Sequence, residues 1–357
     1  MTIAYINRVA TAVPGHEMHA SFVRFASETL QNPTSRTLFG RMASRAQIEH
    51  RWSCLAPPKG DVEALDGEGF YKPGQFPSTA DRMARYEIGA PALGTAAVER
   101  LELDDSERKG ITHLVVASCT GFSAPGVDLE LLERCGLSAS VERTVIGFMG
   151  CHAAMNALKI AHHIVRSTPT AKVLVVCIEL CTLHFQETTD LDRLLTFLLF
   201  GDGCAAALIS AVPDGIALDS FHVELVQKAA DQITWNIRDA GFDMVLSGRV
   251  PSTITGALRE SSARVLAGRP MNAIDIWAIH PGGRSILDAV EGAFELEDSA
   301  LAASRAVLRD YGNMSSATIL FVLERLMRDK TKRGASGCAM AFGPGLTAET
   351  MLFRMAA

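Results

Sequence analysis

A chain of 357 residues exceeds what one minimal domain needs, and with 48% hydrophobic residues it has ample material for a core, as two domains or one large α/β unit. Its formal charge of −6, with acidic and basic residues interspersed, excludes the clustered basic surface of a nucleic-acid binder. The N-terminus, Met-Thr-Ile-Ala-Tyr-Ile-Asn-Arg-Val-Ala, lacks a basic start followed by a long apolar stretch, and no uncharged run reaches the ~18 residues of a spanning helix, so a cytoplasmic protein without a membrane span is expected.

After a first strand, Gln31 to Trp52 carries Arg36, Arg41, Arg45 and Arg51. Arg41 and Arg45 fall one helical turn apart on one face, which suits either a solvated surface or phosphate binding. Cys54 to Phe76 is rich in Pro and Gly and reads as a long surface loop of the kind that forms substrate mouths. Ser78, with Asp81 three residues on, caps a helix expected to run through Arg85 towards Leu101.

An α/β rhythm follows. Thr112 to Ser118, Thr144 to Phe148, Lys172 to Ile178 and Cys204 to Ser210 are apolar runs typical of buried strands, with helical segments between the earlier ones. Ser210-Ala-Val-Pro-Asp-Gly marks the expected boundary between an N-terminal half, residues 1–211, and a C-terminal half, residues 212–357. In the second half Ile274 to Ile279 and Gly337 to Phe342 read as strands, with helices from Ser285 and after Asn313. Two similar α/β layers facing one central site are the expected architecture.

The stretch Val145 to Arg166 organises the rest. An apolar run is interrupted by Gly147 and Gly150, and then Ala153, Ala154, Ala157, Leu158, Ala161 and Val165 recur at helix spacing. Cys151 sits where strand turns into helix, a place where Gly150 permits an unusual backbone angle and unpaired N–H groups favour thiolate over thiol. A lone Cys is also a common buried apolar residue, so the assignment needs partners.

Two partners stand further on. His280 closes the run Ile-Trp-Ala-Ile and precedes Pro281-Gly282-Gly283, where a tight turn leaves the imidazole approachable. Asn313 lies in Tyr-Gly-Asn-Met-Ser-Ser-Ala before an apolar helix, a position where Asn is ordinarily a helix cap. Ala341-Phe-Gly-Pro-Gly-Leu-Thr is a turn whose glycines can shape a pocket wall. A thiol paired with imidazole can accept an acyl group from a thioester. An imidazole or imidazolium N–H and a carboxamide can then hold one carbonyl oxygen, which is what decarboxylation of a malonyl thioester to an enolate requires.

With Gly147-Phe-Met-Gly-Cys-His-Ala-Ala, Leu199-Phe-Gly-Asp-Gly, Ile279-His-Pro-Gly-Gly, Tyr311-Gly-Asn-Met-Ser-Ser-Ala and Phe342-Gly-Pro-Gly-Leu-Thr in this order, the chain resembles the type III polyketide synthases, the chalcone synthase-like enzymes of the thiolase superfamily. The resemblance covers most of the chain from about Thr112 onward. It implies a five-layered αβαβα thiolase-like fold built from two related halves, a homodimer, acyl-CoA and malonyl-CoA substrates, and no metal or bound cofactor. It also implies Cys151 as nucleophile, His280 and Asn313 as decarboxylation and oxyanion groups, and Phe200 as gatekeeper between CoA tunnel and cavity.

The departures bear on product. The second gatekeeper position holds Met244 rather than Phe, and of three basic CoA-contacting positions Arg41 and Arg45 match while the third is Leu38. Cavity positions carry Cys119, Cys181 and His184, with Thr120 and Ser315 retained, and Trp235 stands where plant members have Gly. Ala124 replaces the Met that crosses to the partner's cavity. Cys119, Cys181 and Ala124 leave room for a narrow tunnel, as in bacterial members resembling acceptors of long acyl chains. The expected activity is therefore loading of a medium- or long-chain fatty acyl starter, extension with malonyl-CoA, and cyclisation to an alkylpyrone or alkylresorcinol. A tetrahydroxynaphthalene- or chalcone-type synthase is the alternative. A ketoacyl-carrier-protein synthase would show His-Gln-Ala-Asn at His280 and a basic docking patch; a degradative thiolase would lack the Asn motif, and a papain-like protease would need Cys-Gly-x-Cys-Trp.

The eight cysteines, Cys54, Cys119, Cys135, Cys151, Cys177, Cys181, Cys204 and Cys338, contain no C-x-x-C pair, so free thiols and no zinc ribbon are expected.

Overall fold

The computed structural model describes residues 2–58 and 65–356. The first half runs β1 (Ala4–Ala12), β2 (His16–Glu17), α1 (His19–Thr29), α2 (Pro33–Arg45), β3 (Trp52–Ser53) and α3 (Thr79–Glu99). It continues with α4 (Asp105–Lys109), β4 (His113–Ser118), α5 (Val127–Arg134), β5 (Glu142–Gly147), α6 (Ala153–Ser167), β6 (Val173–Leu180), α7 (Leu191–Phe197) and β7 (Asp202–Ser210). The second half comprises β8 (Ile216–Leu225), β9 (Ile233–Arg238), β10 (Gly241–Leu246), α8 (Val250–Val265), β11 (Ile276–Ile279) and α9 (Arg284–Phe294). It ends with α10 (Ala302–Tyr311), α11 (Thr318–Arg328), β12 (Ser336–Gly343) and β13 (Thr347–Met355).

Nine strands form one sheet in the order β11-β12-β13-β8-β1-β7-β6-β4-β5. Its two sides repeat each other. From β1 outward the neighbours β7, β6 and β4 pair antiparallel, antiparallel and parallel; from β8 outward β13, β12 and β11 do the same. β1 and β8 join the two sets antiparallel.

The apolar runs are continuous because both sheet faces are covered. In β6, Val173, Val175 and Cys177 join the core around α6 and α11, while Leu174, Val176, Ile178 and Leu180 join the core under α3. In β12, Ala339 and Ala341 face the same central helices, and Cys338, Met340 and Phe342 face α8 and α9. Strands of both halves thus share α6 and α11 between them, with α1, α2, α3 and α5 covering one outer side and α8 and α9 the other. That is helix, strand, helix, strand, helix: the expected five layers.

Ser78 caps α3 as its spacing predicts, with its Oγ accepting from Asp81 N at 3.3 Å and the Asp81 carboxylate from Ser78 N at 3.0 Å. Asn313 is not a helix cap, because a short 3-10 turn, Ser315–Ala317, intervenes before α11. The Pro- and Gly-rich loop is exposed at Gly67, Glu68, Gly69, Lys72, Pro73, Gly74 and Gln75, as a surface loop should be. Residues 59–64 lie outside the described residues, but Tyr71 is fully buried and donates its hydroxyl proton to Thr182 O at 2.6 Å, so this part packs against the end of β6. All eight cysteines are free, and among the described residues no helix is long and apolar enough to cross a membrane.

Candidate active site

The three separated motifs meet. Cys151, His280 and Asn313 line one chamber between the halves, together with Gly150, Gly282, Ser315, Phe342, Gly343 and Pro344. Cys151 lies in a 3-10 turn, Gly150–His152, that leads into α6. Gly150 has φ +70, and a Cβ there would sit 2.2 Å from Pro344 Cδ, so both backbone angle and close approach require glycine. Phe148, two residues earlier, also holds φ +54. His280 follows β11 and is fixed by its N–H to Met340 O at 2.8 Å.

The carboxamide of Asn313 is oriented by its backbone neighbours. Its Oδ1 accepts from Ser315 N at 2.8 Å, which turns Nδ2 towards Gly282 O at 3.3 Å and Cys151 Sγ at 3.9 Å. One donor therefore faces the sulfur and the space in front of it. His280 is 1% exposed, and among the described residues neither ring nitrogen has a hydrogen-bond partner. A buried imidazole without a partner is costly and points to a partner that arrives with substrate.

Burial acts against the thiolate that a helix start favours. Burial pushes the Cys151 thiol up to about 11, against hydrogen bonds from Ser315 and Asn313 that act the other way. Burial pulls His280 down to about 3, helped by His152. Desolvation thus opposes charge on both groups in the closed site.

The other predicted wall residues are present, but several are already engaged. Cys119 Sγ accepts from Gly150 N at 3.0 Å, tying the end of β4 to the nucleophile turn. Thr120 donates to Glu179 Oε2 at 2.9 Å. His184 accepts from Phe242 N on Nδ1 at 3.1 Å and so donates from Nε2 to Thr120 O at 2.7 Å, which spends both nitrogens on backbone. Burial holds it neutral, near 3. Cys181 and Phe200 line the chamber as well. Trp235 and Met244 face each other across the β9–β10 hairpin, and the Trp235 indole donates to Cys119 O at 2.7 Å, closing that side.

The chamber is narrow, with a cavity volume of about 60 Å³. Phe185 and Phe197, whose rings pack 5.6 Å apart, also line the chamber, and Ala124 lies exposed outside this chain's own lining.

A second groove outside shares Met244, Leu246, Gly282 and Ile286 with the chamber, so these residues mark the passage between them. Arg45 lines this groove, as do Arg193 and Arg284, which the sequence reading did not single out. Arg41 is exposed on α2 but does not line it, and Leu38 is exposed nearby on the same helix. Glu179 was also missed. It is fully buried at the end of β6, where Cys119 N, Thr120 Oγ1 and Ser316 Oγ donate to it at 3.0, 2.9 and 2.5 Å. A single acid in the otherwise apolar run Val-Leu-Val-Val-Cys-Ile-Glu-Leu was the available signal. Among the described residues no cluster of His, Cys, Asp or Glu could hold a metal ion.

Comparison with known proteins agrees along the whole chain. Residues 9–213 match the N-terminal domain of chalcone and stilbene synthases, and residues 217–357 match their C-terminal domain. The alpha-pyrone synthesis polyketide synthase-like Pks18 of Mycobacterium tuberculosis is 34% identical over 366 aligned positions, covering 99% of this chain and 91% of that protein. Among solved structures, PKS-I of the brown alga Ectocarpus siliculosus superposes with a TM-score of 0.88 at 28% identity, covering 99% of both chains. The C-terminal type III polyketide synthase domain of Steely1 from Dictyostelium gives 0.89 at 23% identity, over 99% of this chain and 100% of that one, a likeness of fold.

Proposed function

Because this chain belongs to the chalcone and stilbene synthase family and is a type III polyketide synthase, an acyltransferase, we propose that it extends a fatty acyl starter with malonyl-CoA and cyclises the product to an alkylpyrone or alkylresorcinol. The observation that carries the reading is the meeting of Cys151, His280 and Asn313 in one chamber. The similarity to a protein named for alpha-pyrone synthesis supports the pyrone outcome.

In this reading the neutral imidazole of His280 takes the Cys151 proton as Sγ attacks the starter thioester, and returns it to the departing CoA thiolate. When malonyl-CoA follows, its carbon–carboxylate bond breaks, carbon dioxide leaves, and the electron pair moves onto the thioester oxygen. The His280 N–H and Asn313 Nδ2 donate to that oxygen. The enolate carbon then attacks the acyl-Cys carbonyl, a carbon–carbon bond forms, and Cys151 leaves as thiolate, ready for the lengthened chain. No bound cofactor enters these steps.

Arg45 offers positive charge to CoA phosphates at the groove, while Arg193 and Arg284 stand there paired with Asp243 and Asp288, and Phe200 and Met244 gate the way in. Arg41, one turn before Arg45 on the exposed side of α2, joins this reading as a further cation near the groove. A homodimer through edge strand β5 and a cytoplasmic location, where acyl-CoA thioesters are made, belong to the same reading. The narrow chamber favours a second reading, a tetrahydroxynaphthalene-type synthase fed by malonyl-CoA alone.

Incubation with malonyl-CoA and acyl-CoA starters from acetyl to stearoyl, with product mass spectrometry, decides between them. Pyrone or resorcinol masses that track medium- and long-chain starters are expected. Products from malonyl-CoA alone, or only with aromatic starters, would overturn the first reading.

A further inference from the structure

Arg51 is the residue whose chemistry the site has not yet absorbed. It is fully buried, yet no carboxylate lies within ion-pair distance of it among the described residues. Its Nε donates to His19 Nδ1 at 3.0 Å, and its Nη1 donates to two carbonyls, Phe197 O at 2.9 Å and Phe200 O at 2.6 Å. Nη2 has no partner. The guanidinium lies 4.7 Å from the centre of the Phe22 ring. Burial pulls its pKa down to about 9, against the Glu17 and Asp202 carboxylates, so it stays cationic at neutral pH, and a buried cation with no carboxylate on its guanidinium is expensive to keep.

Its surroundings connect it to both the gate and the carboxamide. Gly312, at φ +69, would place a Cβ 2.8 Å from Arg51 Cγ, and Gly201 would place one 3.4 Å from Arg51 Cβ. These glycines flank Asn313 and Phe200. The two segments are themselves bridged, since Asn313 N donates to Leu199 O at 2.8 Å and Gly201 N donates to Asn313 O at 3.0 Å. A single guanidinium therefore fixes the 197–200 turn, and a two-bond ladder passes that position to Asn313.

We infer that Arg51 is a positioning residue that sets where the Asn313 carboxamide and the Phe200 ring stand relative to the reacting thioester. The inference rests on the proposed decarboxylation role of Asn313. An apolar side chain of similar length would fill the socket but release both carbonyls, and the ladder would lose its fixed side. Lys would keep the charge and reach fewer acceptors, because its ammonium lacks the fork.

The test is a double-mutant cycle in the full chain, with Arg51→Met and Arg51→Lys made in wild-type and Asn313→Ala backgrounds. Malonyl-CoA decarboxylation, iodoacetamide alkylation of Cys151 and thermal midpoint are measured. Arg51→Met is expected to slow decarboxylation by about tenfold to a hundredfold, the scale of a misplaced reacting group, while alkylation of Cys151 continues. Arg51→Lys is expected to lose less. In the Asn313→Ala background Arg51→Met should add little further loss, because it acts through the group already removed. Unchanged decarboxylation, or an equal loss in both backgrounds, overturns the inference. Where the Met variant does not fold, the Lys variant decides by the same comparison. A drop for Asn313→Ala with none for Arg51→Met removes Arg51 alone; no drop for Asn313→Ala removes the decarboxylation reading as well.

Discussion

Glu179 shows how one side chain can set the pH response of a site. Burial pushes it up to about 7, against hydrogen bonds from Ser316, Cys119 and Thr120. The folded carboxyl thus keeps its proton at a pH where the unfolded one, near 4.5, has lost it. Its stabilising contribution is full below about 4.5 and is lost as pH rises through 7. Glu179→Gln keeps an oxygen for Cys119 and Thr120 and an amide for Ser316 Oγ. Between pH 5 and 8 the wild type should lose ~3 kcal/mol more unfolding stability than this variant, measured by urea denaturation. Parallel pH slopes would sink the argument. Asp202, also raised by burial, to about 6, is common to both proteins and cancels. At this scale Cys151, His280 and Asn313 were legible because each follows a glycine turn or strand end that interrupts an apolar pattern. Glu179 and Arg51 were not, because their roles come from contacts with residues far away in sequence.

At the scale of elements, the strands covered on both faces were legible as unbroken apolar runs, and their ends fall within a few residues of expectation. β8, β9, β10 and β13 were not named. The hairpin reads Ile-Thr-Trp-Asn-Ile-Arg and Gly-Phe-Asp-Met-Val-Leu, a two-stranded ribbon whose burial fades along β9 instead of alternating, so neither strand carries the unbroken apolar run of the central sheet. That hairpin nevertheless closes the chamber. Trp235 fills the side that a smaller residue would leave open, and its ring meets His184 and Phe242 edge-on at 5.4 and 5.7 Å. Trp235→Ala is expected to lengthen the dominant polyketide or admit bulkier starters, read as a shift to higher product mass. An unchanged product profile would show that the hairpin does not limit the cavity. Some stability is lost as well, on the order of 3–5 kcal/mol for a large aromatic truncated in a fully packed site and less here, where Trp235 is partly exposed.

At the scale of the whole molecule, β5 is the open edge of a nine-stranded sheet, and Glu142 to Val145 are exposed along it. Val145, Met149 and Phe122 are 47%, 40% and 37% exposed, an apolar group beside an unpaired strand edge. Such an edge is a template for a second strand. Val145→Glu should therefore shift the proposed dimer towards monomer in light scattering at micromolar concentration; a mass unchanged from wild type would place the interface elsewhere. The two-sided repeat of the sheet could be anticipated from the recurring strand, turn and helix, but not the strand order, which depends on antiparallel returns with weak local signatures.

That repeat has an electrostatic consequence. The 3-10 turns that open α6 and α11 contribute Cys151 and Ser315 to the same chamber, one from each half. Each helix carries roughly half a positive charge at its start. The approximate symmetry therefore aims two such ends at one small volume, so an anion formed there is welcomed by the backbone before any side chain acts. Removing the sulfur would leave that field in place, and carbon dioxide should still be released slowly from malonyl-CoA by a protein no longer able to build a chain.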